Sequence, residues 1–335
     1  MTRPSRLPAL APFFTWLVLF YSVWLWLVWD ESRLETVLGH WPIALSMAFG
    51  SYIAGATPMG GGTVGFPILV LLFDLPATLG RDFSFAVQAI GMSSASIYIL
   101  CRRHPLEWPM LRAALPGAAL GTPLGILLLA PLVNDLFIKL LFAAVWCSFG
   151  LIHLRYGREL AAQQGRLAAA PSFDRRTGFA VGLIGSLTVA SVTGAGVDML
   201  LYMTLVLLCR ADLKIAIPTS VILMAFTSLV GTAVKGLSGD FSPGTFDHWL
   251  AAAPIVALGA PLGALVVNWA GRESTLMLVS LLCVLQFFWT LMHERANLTA
   301  VTFSAVLLLV AVLIALFLAL RKLGQRMDRR HRQAT

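Results

Sequence analysis

Two glycine-rich breaks interrupt apolar segments of the chain, one in its first quarter and one past its middle. The first break contains Gly60, Gly61, Gly62 and Thr63, and the second contains Thr193, Gly194, Gly196 and Asp198. Glycine allows the backbone to leave a helix and to approach a ligand closely. A helix that resumes after a break presents free N–H groups and the positive end of its dipole, which bind anions. We therefore interpret the two breaks, facing each other, as a substrate site for a small oxyanion.

The segments that follow the breaks carry polar side chains within reach of such a ligand. Candidate substrate ligands are Ser84 and Gln88 after the first break, and Thr219 and Ser220 after the second. A hydroxyl in a membrane helix often bonds only a carbonyl of its own helix. For each hydroxyl, that structural role is the alternative to substrate binding.

Asp198 is the acidic residue beside the second break, and the alignment of the two breaks places Val64 opposite it. A carboxylate within a membrane-spanning region is costly and typically serves ion or proton coupling. Asp198 is therefore the candidate for binding the coupling ion, either a proton or Na+. The alternative is a carboxylate that only stabilises the start of a helix, where the helix dipole favours it.

Residues for enzymatic chemistry are not grouped in the sequence. It contains no glycine-rich phosphate loop, zinc motif or Ser-His-Asp arrangement, and the six histidines, His153 among them, are expected at or near loops. Arg81 and Asp82 are expected at a helix end as an interfacial ion pair, and the four cysteines as small core residues. The sequence thus predicts no catalytic residue, metal or cofactor, and it does not favour an enzyme.

Composition indicates which elements must position these groups. The chain has 335 residues, of which 58% are apolar and 12% are charged, whereas about a quarter of the residues in a soluble domain are charged. In lipid, only helices and closed barrels satisfy the backbone, and the long apolar runs lack the alternation of barrel strands. The sequence therefore predicts an all-α polytopic membrane protein, with the lipid bilayer as its surroundings.

The net charge of +8 does not indicate a nucleic-acid partner, because most basic residues fall in alternate loops. Cytoplasmic loops retain Lys and Arg. With the N-terminus inside, this bias predicts that both termini are cytoplasmic.

An internal repeat organises the chain. Residues 115–125 (LPGAALGTPLG) match residues 253–263 (APIVALGAPLG). The shared glycines, Gly121, Gly125, Gly259 and Gly263, are expected to allow close helix packing. The proline spacing is also shared, which argues against a chance similarity of two glycine-rich helices.

Each copy of the repeat holds five apolar segments, and an odd number predicts that the second copy lies upside down in the membrane. Segments 63–74 and 197–209 are too short to cross a bilayer upright and are interpreted as broken or re-entrant helices. The predicted units are an N-terminal transmembrane helix (1–40), repeat 1 (41–154), a cytoplasmic linker (155–176), repeat 2 (177–292) and a C-terminal helix with a basic tail (293–335). Inverted repeats are typical of secondary transporters, whose substrate site lies near mid-membrane between the repeats.

The breaks and the hydroxyls together resemble a known family. A glycine-rich break running into an apolar arm, as in residues 60–69 (GGGTVGFPIL), and a Thr-Ser pair on the next helix, as in Thr219-Ser220, are similar to the TauE/SafE sulfite exporter family, also called the TSUP transporters. The resemblance implies transport of small sulfur-containing or carboxylate anions, such as sulfite, thiosulfate, sulfoacetate or related organosulfonates. It also implies a bacterial inner membrane.

Two positions depart from the family pattern. Phe83-Ser84 stands where Thr-Ser is expected, and Leu201 stands opposite Pro67. The leading hypothesis is a secondary anion transporter, acting as an exporter and driven by an ion gradient, since the sequence shows no nucleotide-binding segment. The alternatives are a passive anion channel with the same site and a membrane scaffold that uses its helices only for packing.

Overall fold

The computed structural model describes residues 10–167 and 170–334, which form helices and connecting turns without a strand. Residues 1–9 and residue 335, at the ends of the predicted terminal units, lie outside the described residues. The helical fold confirms the predicted fold class.

Thirteen helices follow one another in the described residues. They are α1 (Ala11–Leu27), α2 (Glu31–Gly39), α3 (Trp41–Ala56), α4 (Gly62–Leu72), α5 (Ala77–Cys101), α6 (Trp108–Leu132), α7 (Asp135–Ala161), α8 (Pro171–Thr193), α9 (Val197–Leu208), α10 (Leu213–Ser238), α11 (Thr245–Ala270), α12 (Arg272–His293) and α13 (Ala300–Ala334). Helices α4, α6, α8 and α9 each include a π-helical turn. Such turns are frequent at functional sites.

Eight helices of the described residues are long and apolar enough to cross a membrane, namely α5 to α8 and α10 to α13. The count becomes nine if α1 and α2, which meet at a bend of 108°, form one span. Helices α4 and α9 are apolar but short, as the sequence predicts for the arms that follow the breaks. The sequence did not predict α2 as a helix, because its mixed polar residues carry no apolar run.

The helix pairs that connect the two repeats are equivalent in both directions. Helix α6 of the first repeat packs on α8 of the second, α11 of the second packs on α3 of the first, and the pairs α5–α10 and α7–α12 join equivalent helices. Exchanging the two repeats reproduces the same set of pairs. This packing is the arrangement expected for two related halves, whereas their opposite orientation in a bilayer remains a prediction.

The glycines of the repeated motif lie in these contacts. A Cβ on Gly121 would approach the carbonyl oxygen of Leu183 to 2.4 Å, and one on Gly263 would approach that of Tyr52 to 2.3 Å. Real Cβ atoms do not come so close to backbone atoms, so the side chain must be absent. The packing interpretation of these glycines is confirmed.

Two sequence predictions concern helix ends. The predicted ion pair of Arg81 and Asp82 is confirmed, with Nε of Arg81 2.9 Å from Oδ1 of Asp82 in the first turns of α5, which begins at Ala77. Its exposure differs from the prediction, because both residues are buried, with 7% and 0% of their surface exposed.

Helix α7 continues to Ala161, so His153 lies within the helix and away from a loop. The prediction for His153 is therefore wrong. The charged residues that follow it lower the local hydropathy, but the helix continues through them. Glu159, one of these residues, pairs with Arg321 and Arg210.

Candidate functional site

The two breaks meet inside the protein. The backbone N–H of Gly60 donates a hydrogen bond to Oδ2 of Asp198 at 2.9 Å, across 138 residues of sequence. The other carboxylate oxygen accepts the N–H of Met199 at 2.9 Å. Asp198 has no exposed surface. A carboxylate oxygen therefore already occupies a backbone N–H group of the first break.

The second break is a tight turn that glycine makes possible. Gly194 has φ +80° and Gly196 has φ +104°, both in the left-handed region that residues with a Cβ disfavour. The hydroxyl of Thr193 donates to the carbonyl oxygen of Ala195 at 2.9 Å and closes the turn. Helix α9 then begins at Val197, which puts Asp198 in its first turn.

The first break is shaped by close approach rather than by unusual backbone angles. A Cβ on Gly60 would lie 1.6 Å from Oε1 of Gln88, and one on Gly62 would lie 2.9 Å from Oγ of Ser84. A Cβ on Gly61 would instead meet the flexible end of Met47 at 3.2 Å. Gly60 and Gly62 therefore face α5 and the second break, whereas Gly61 faces α3.

Gln88 connects the two breaks from the middle of α5. Its Nε2 donates to the carbonyl oxygens of Ser84 and Gly194, both at 2.9 Å. Because both partners are acceptors, these bonds fix which end of the amide is nitrogen. The remaining atom, Oε1, is buried, points towards Gly60 and has no hydrogen-bond partner. We call Gly60, Gly62, Ser84, Gln88, Gly194 and Asp198 the break junction.

Thr63 and Ser84 border the junction in different ways. The hydroxyl of Ser84 donates to the carbonyl of Gly80 at 2.7 Å, within its own helix. Thr63 accepts a hydrogen bond from Nε1 of Trp146 at 2.9 Å. The ring of Trp146 also approaches Gly196, where a Cβ would lie 3.0 Å from it. Sequence reasoning missed Trp146, because an aromatic residue inside an apolar helix carries no distinguishing pattern.

Thr219 and Ser220 have partners away from the break junction. The hydroxyl of Thr219 donates to the carbonyl of Ile215 at 2.6 Å and accepts the backbone N–H of Glu107 at 2.9 Å. The hydroxyl of Ser220 donates to the carbonyl of Ile217 at 2.8 Å. Among the described hydrogen bonds, none joins either hydroxyl to a break. These contacts are those expected for the structural role.

A buried charge cluster lies at the N-terminal end of α5. Asp82 accepts Nε of Arg81 at 2.9 Å, Nζ of Lys235 at 3.2 Å, and both the backbone N–H and the hydroxyl of Ser242 at 2.9 Å. Lys235 is 1% exposed and also pairs with Asp240 at 2.7 Å. The hydrogen bond from Lys235 holds the pKa of Asp240, in the following loop, below its usual range. The cluster joins α5 of the first repeat to α10 of the second.

A second charge cluster lies at the other end of α5. Arg166 pairs with Glu107 and, at 2.6 Å, with Asp174. Burial alone would lower the pKa of Arg166, but its hydrogen bonds to Asp174 and Glu107 outweigh burial and raise it, so this guanidinium stays charged. Both clusters therefore fasten helix ends where the two repeats meet.

The clusters share a hydrogen-bond pattern. The loop after α5 donates the N–H of Glu107 to Thr219 on α10, and the loop after α10 donates the N–H of Ser242 to Asp82 on α5. Each loop thus anchors to the start of the equivalent helix in the other repeat.

A cavity of about 580 Å³ lies at the C-terminal end of α7, apart from the junction. Arg155, Arg158 and Arg321 line it together with Tyr156 and Glu159. Arg321 pairs with Glu159 at 2.5 Å and stacks over the ring of Tyr156 at 3.9 Å. This cavity offers positive charge but lies near the end of α7, outside the apolar interior.

The break junction brings together groups that are chemically suited to an oxygen anion and to a coupling ion. It combines backbone N–H groups, one carboxylate and one amide oxygen. In the part of the chain that the structure describes, no group of three or more His, Cys, Asp or Glu residues could hold a metal ion.

Comparison with known proteins identifies the family. A family model described as "Sulfite exporter TauE/SafE" matches residues 43–289. The chain belongs to this family. The matched range runs from α3 into α12 and includes both breaks, so the family resemblance seen in the sequence is confirmed.

A curated relative supports the same conclusion. The chain is 27% identical over 231 residues to a protein of Comamonas testosteroni named "Probable inner membrane transporter protein TsaS". The aligned region covers 67% of this chain and 80% of the relative. No solved structure matches the chain. The family and the relative are transporters, which favours transport over an enzymatic role for this TauE/SafE member.

Proposed function

We propose that this protein is a secondary transporter, acting as an exporter, of small sulfur-containing anions such as sulfite or organosulfonates. The anion binds at mid-membrane in the break junction, between α4 and α9. The observation that carries the proposal is the hydrogen bond from the Gly60 N–H to the Asp198 carboxylate. A backbone N–H of the break that donates to a carboxylate oxygen is also suited to donate to an oxygen of sulfite or of a sulfonate.

The position of the junction supports a transport site. Gln88 lies near the middle of α5, a helix long enough to cross the membrane. Residues from both repeats contribute to the junction, as expected for transporters built from repeats. The description of the family as sulfite exporters supports the substrate class and the direction.

Burial of the junction supports alternating access over an open channel. Gln88, Ser84 and Asp198 are each at most 1% exposed, and the Gln88 amide fills the space in front of Gly60. A conducting channel would require a continuous opening past these side chains. A closed site between two charge clusters, each fastening one end of the repeat contact, is the arrangement of a transporter in an occluded state.

The energy for transport comes from an ion gradient in this proposal. Asp198 is the acidic side chain within the junction and therefore the candidate site for a coupling proton or Na+. In this proposal the protein lies in a bacterial inner membrane, as the name of the Comamonas relative suggests, and both termini are in the cytoplasm, as the basic loops predict.

Flux into proteoliposomes tests the proposal. Purified protein is reconstituted, and uptake of radiolabelled sulfite and sulfoacetate is measured with no gradient, with a pH gradient and with a Na+ gradient. Accumulation above the external concentration under one gradient supports the transporter. Equilibration alone would identify a channel, and flux equal to that of protein-free vesicles would identify a scaffold.

A further inference from the structure

We infer that Gln88 and Asp198 together bind the coupling proton, and that this proton releases the Gly60 N–H to the transported anion. The inference deepens the proposed function and rests on it. The anion and the charged form of Asp198 compete for one backbone N–H group, and the proton decides between them.

The first step concerns the unpaired oxygen of Gln88. Its Oε1 is buried without a hydrogen-bond partner, and the whole residue is only 1% exposed. A buried acceptor without a donor is costly, and such a group in a native structure calls for an explanation. The two bonds made by Nε2 prevent the amide from rotating to hide this oxygen. The junction therefore lacks one donor.

The second step identifies the donor. Oε1 of Gln88 and Oδ2 of Asp198 lie 1.6 Å and 3.4 Å from one point, the position that a Cβ would take on Gly60. A protonated carboxyl group carries an O–H donor that a carboxylate lacks. Proton uptake by Asp198 therefore supplies a donor at the place where Gln88 presents an unpaired acceptor.

The third step concerns Gly60. A charged carboxylate binds the Gly60 N–H strongly, because a hydrogen bond to an ionised acceptor is about twice as strong as a neutral one. After protonation the carboxyl is neutral and turns its O–H towards Gln88, which weakens its hold on the N–H. The N–H is then available to an anion oxygen. One proton is bound from water for each anion, and no other bond is made or broken.

Electrostatic repulsion couples the binding of the anion to the binding of the proton. A substrate anion beside a charged Asp198 would place two negative charges together in a buried site, where their repulsion is poorly screened. Protonation of Asp198 removes this repulsion. Anion and proton therefore bind and move together, and the empty junction is stabilised by the charged carboxylate. A dianion such as sulfite or sulfoacetate keeps one net negative charge after this proton is bound, so a membrane potential that is negative inside drives the pair outward, in the direction of the proposed export.

Other charged groups on the helices packed against α9 are engaged elsewhere. The paired groups are Arg81 and Lys235 with Asp82, His153 with Tyr202, Asp174 with Arg166, Glu159 with Arg210 and Arg321, Asp328 with Arg210, and Lys139 with Asp135 and Glu294. The exposed groups are Arg155, Arg158, Arg175, Arg176, Lys214, Lys322, Arg326 and Arg329. Within the described hydrogen bonds, the partners of the Asp198 carboxylate are backbone N–H groups. Asp198 is thus the group of the junction that a proton can neutralise.

Infrared difference spectroscopy tests the proton site without any substrate. The membrane-reconstituted full chain is acidified stepwise, and the carbonyl stretch of protonated carboxyl groups is recorded. We expect a band that is lost in Asp198→Asn and shifted to higher frequency in Gln88→Met, which has similar length but no amide oxygen. Met224 occupies the equivalent position in the second repeat, so a thioether is compatible with such a helix. A spectrum unchanged in Asp198→Asn, or an Asp198 band unmoved in Gln88→Met, would overturn the inference.

Transport measurements on the same variants test the exchange. In Asp198→Asn the amide donates to Gln88 permanently, so we expect the accumulation of sulfoacetate driven by a pH gradient to fall to the level reached without a gradient. Driven accumulation at the wild-type level in this variant would overturn the inference. Absence of any anion flux in the wild-type protein would instead refute the proposed function, and the infrared result would still decide whether Gln88 and Asp198 share a proton.

Discussion

Gly60 of the first repeat donates its backbone N–H to the carboxylate of Asp198 in the second repeat at 2.9 Å. The two breaks are therefore held together by one side chain at the point where each helix is interrupted. Any movement that opens the junction to one side of the membrane must lengthen or replace this bond. The following predictions test the contacts around it.

Gly60→Ala should reduce transport of sulfite or sulfoacetate at least tenfold. The new Cβ would lie 1.6 Å from Oε1 of Gln88, and the amide cannot move away without losing its bonds to Ser84 and Gly194. Gly61→Ala is the matched control, since the nearest atom to its Cβ would be the end of the flexible Met47 side chain at 3.2 Å, and the next two lie at 3.9 and 4.0 Å. Initial rates in proteoliposomes, at equal protein incorporation, measure the difference. Equal rates for the two variants would contradict a role for the space at Gly60.

Trp146 and Thr63 should act as a coupled pair. Their hydrogen bond links α7 to the start of α4, and interhelical hydrogen bonds in membranes are worth about 0.6 to 2 kcal/mol. Trp146→Phe and Thr63→Val should each lower thermal stability in detergent and slow transport several-fold. The double variant should be little worse than either single variant, as expected for two groups that share one bond. Additive losses would show that the bond contributes nothing.

Lys235→Met should destabilise the protein by about 3–5 kcal/mol, the usual cost of removing one partner from a buried ion pair. Lys235 is 1% exposed, and its loss leaves part of the charge of the fully buried Asp82 uncompensated. Lys322→Met, at an exposed position, is the control and should leave the unfolding temperature unchanged. Thermal unfolding of the purified variants checks both. Restoration of stability in Asp82→Asn combined with Lys235→Met would strengthen the assignment.

Cysteine labelling should reveal the orientation of the chain. Ser238 ends α10 on the side that the basic loops predict to be outside, whereas Lys322 lies in α13 on the predicted cytoplasmic side; both are exposed. A membrane-impermeant maleimide should label Ser238→Cys in intact cells and Lys322→Cys only after permeabilisation. Cys147, Cys209 and Cys283 are buried, and the unsubstituted chain gives the background. The reverse pattern would refute the predicted topology.

Much of the fold could be predicted from the sequence, because the bilayer imposes long apolar helices. The predicted segment 63–74 is helix α4 (Gly62–Leu72), and the segment 197–209 is α9 (Val197–Leu208). Helix ends with buried charges could not be found in this way. The pairing of Asp82 with Lys235 joins residues from different repeats, and no local pattern reveals that these charges neutralise each other.

The candidate site was predictable in part. Glycine breaks in both repeats marked Gly60, Gly194 and Asp198, which the fold brings together. The sequence also predicts Thr219 as a substrate ligand, but its hydroxyl donates to the carbonyl of Ile215 and accepts the N–H of Glu107 instead. Trp146 could not be predicted, because its contact with Thr63 depends on which face of α7 is turned towards α4. The sequence of a helix that is apolar on all faces does not indicate this orientation.

An experimental structure with selenite tests the central claim most directly. Selenite is a close analogue of sulfite, and selenium can be located by its anomalous scattering. Crystals of the reconstituted protein soaked with selenite at acidic pH should show one selenium within hydrogen-bonding reach of the Gly60 N–H, with the Asp198 carboxyl turned towards Gln88. Selenium bound only in the cavity beside Arg155 and Arg158, with the bond between Gly60 and Asp198 intact, would contradict the break junction as the anion site.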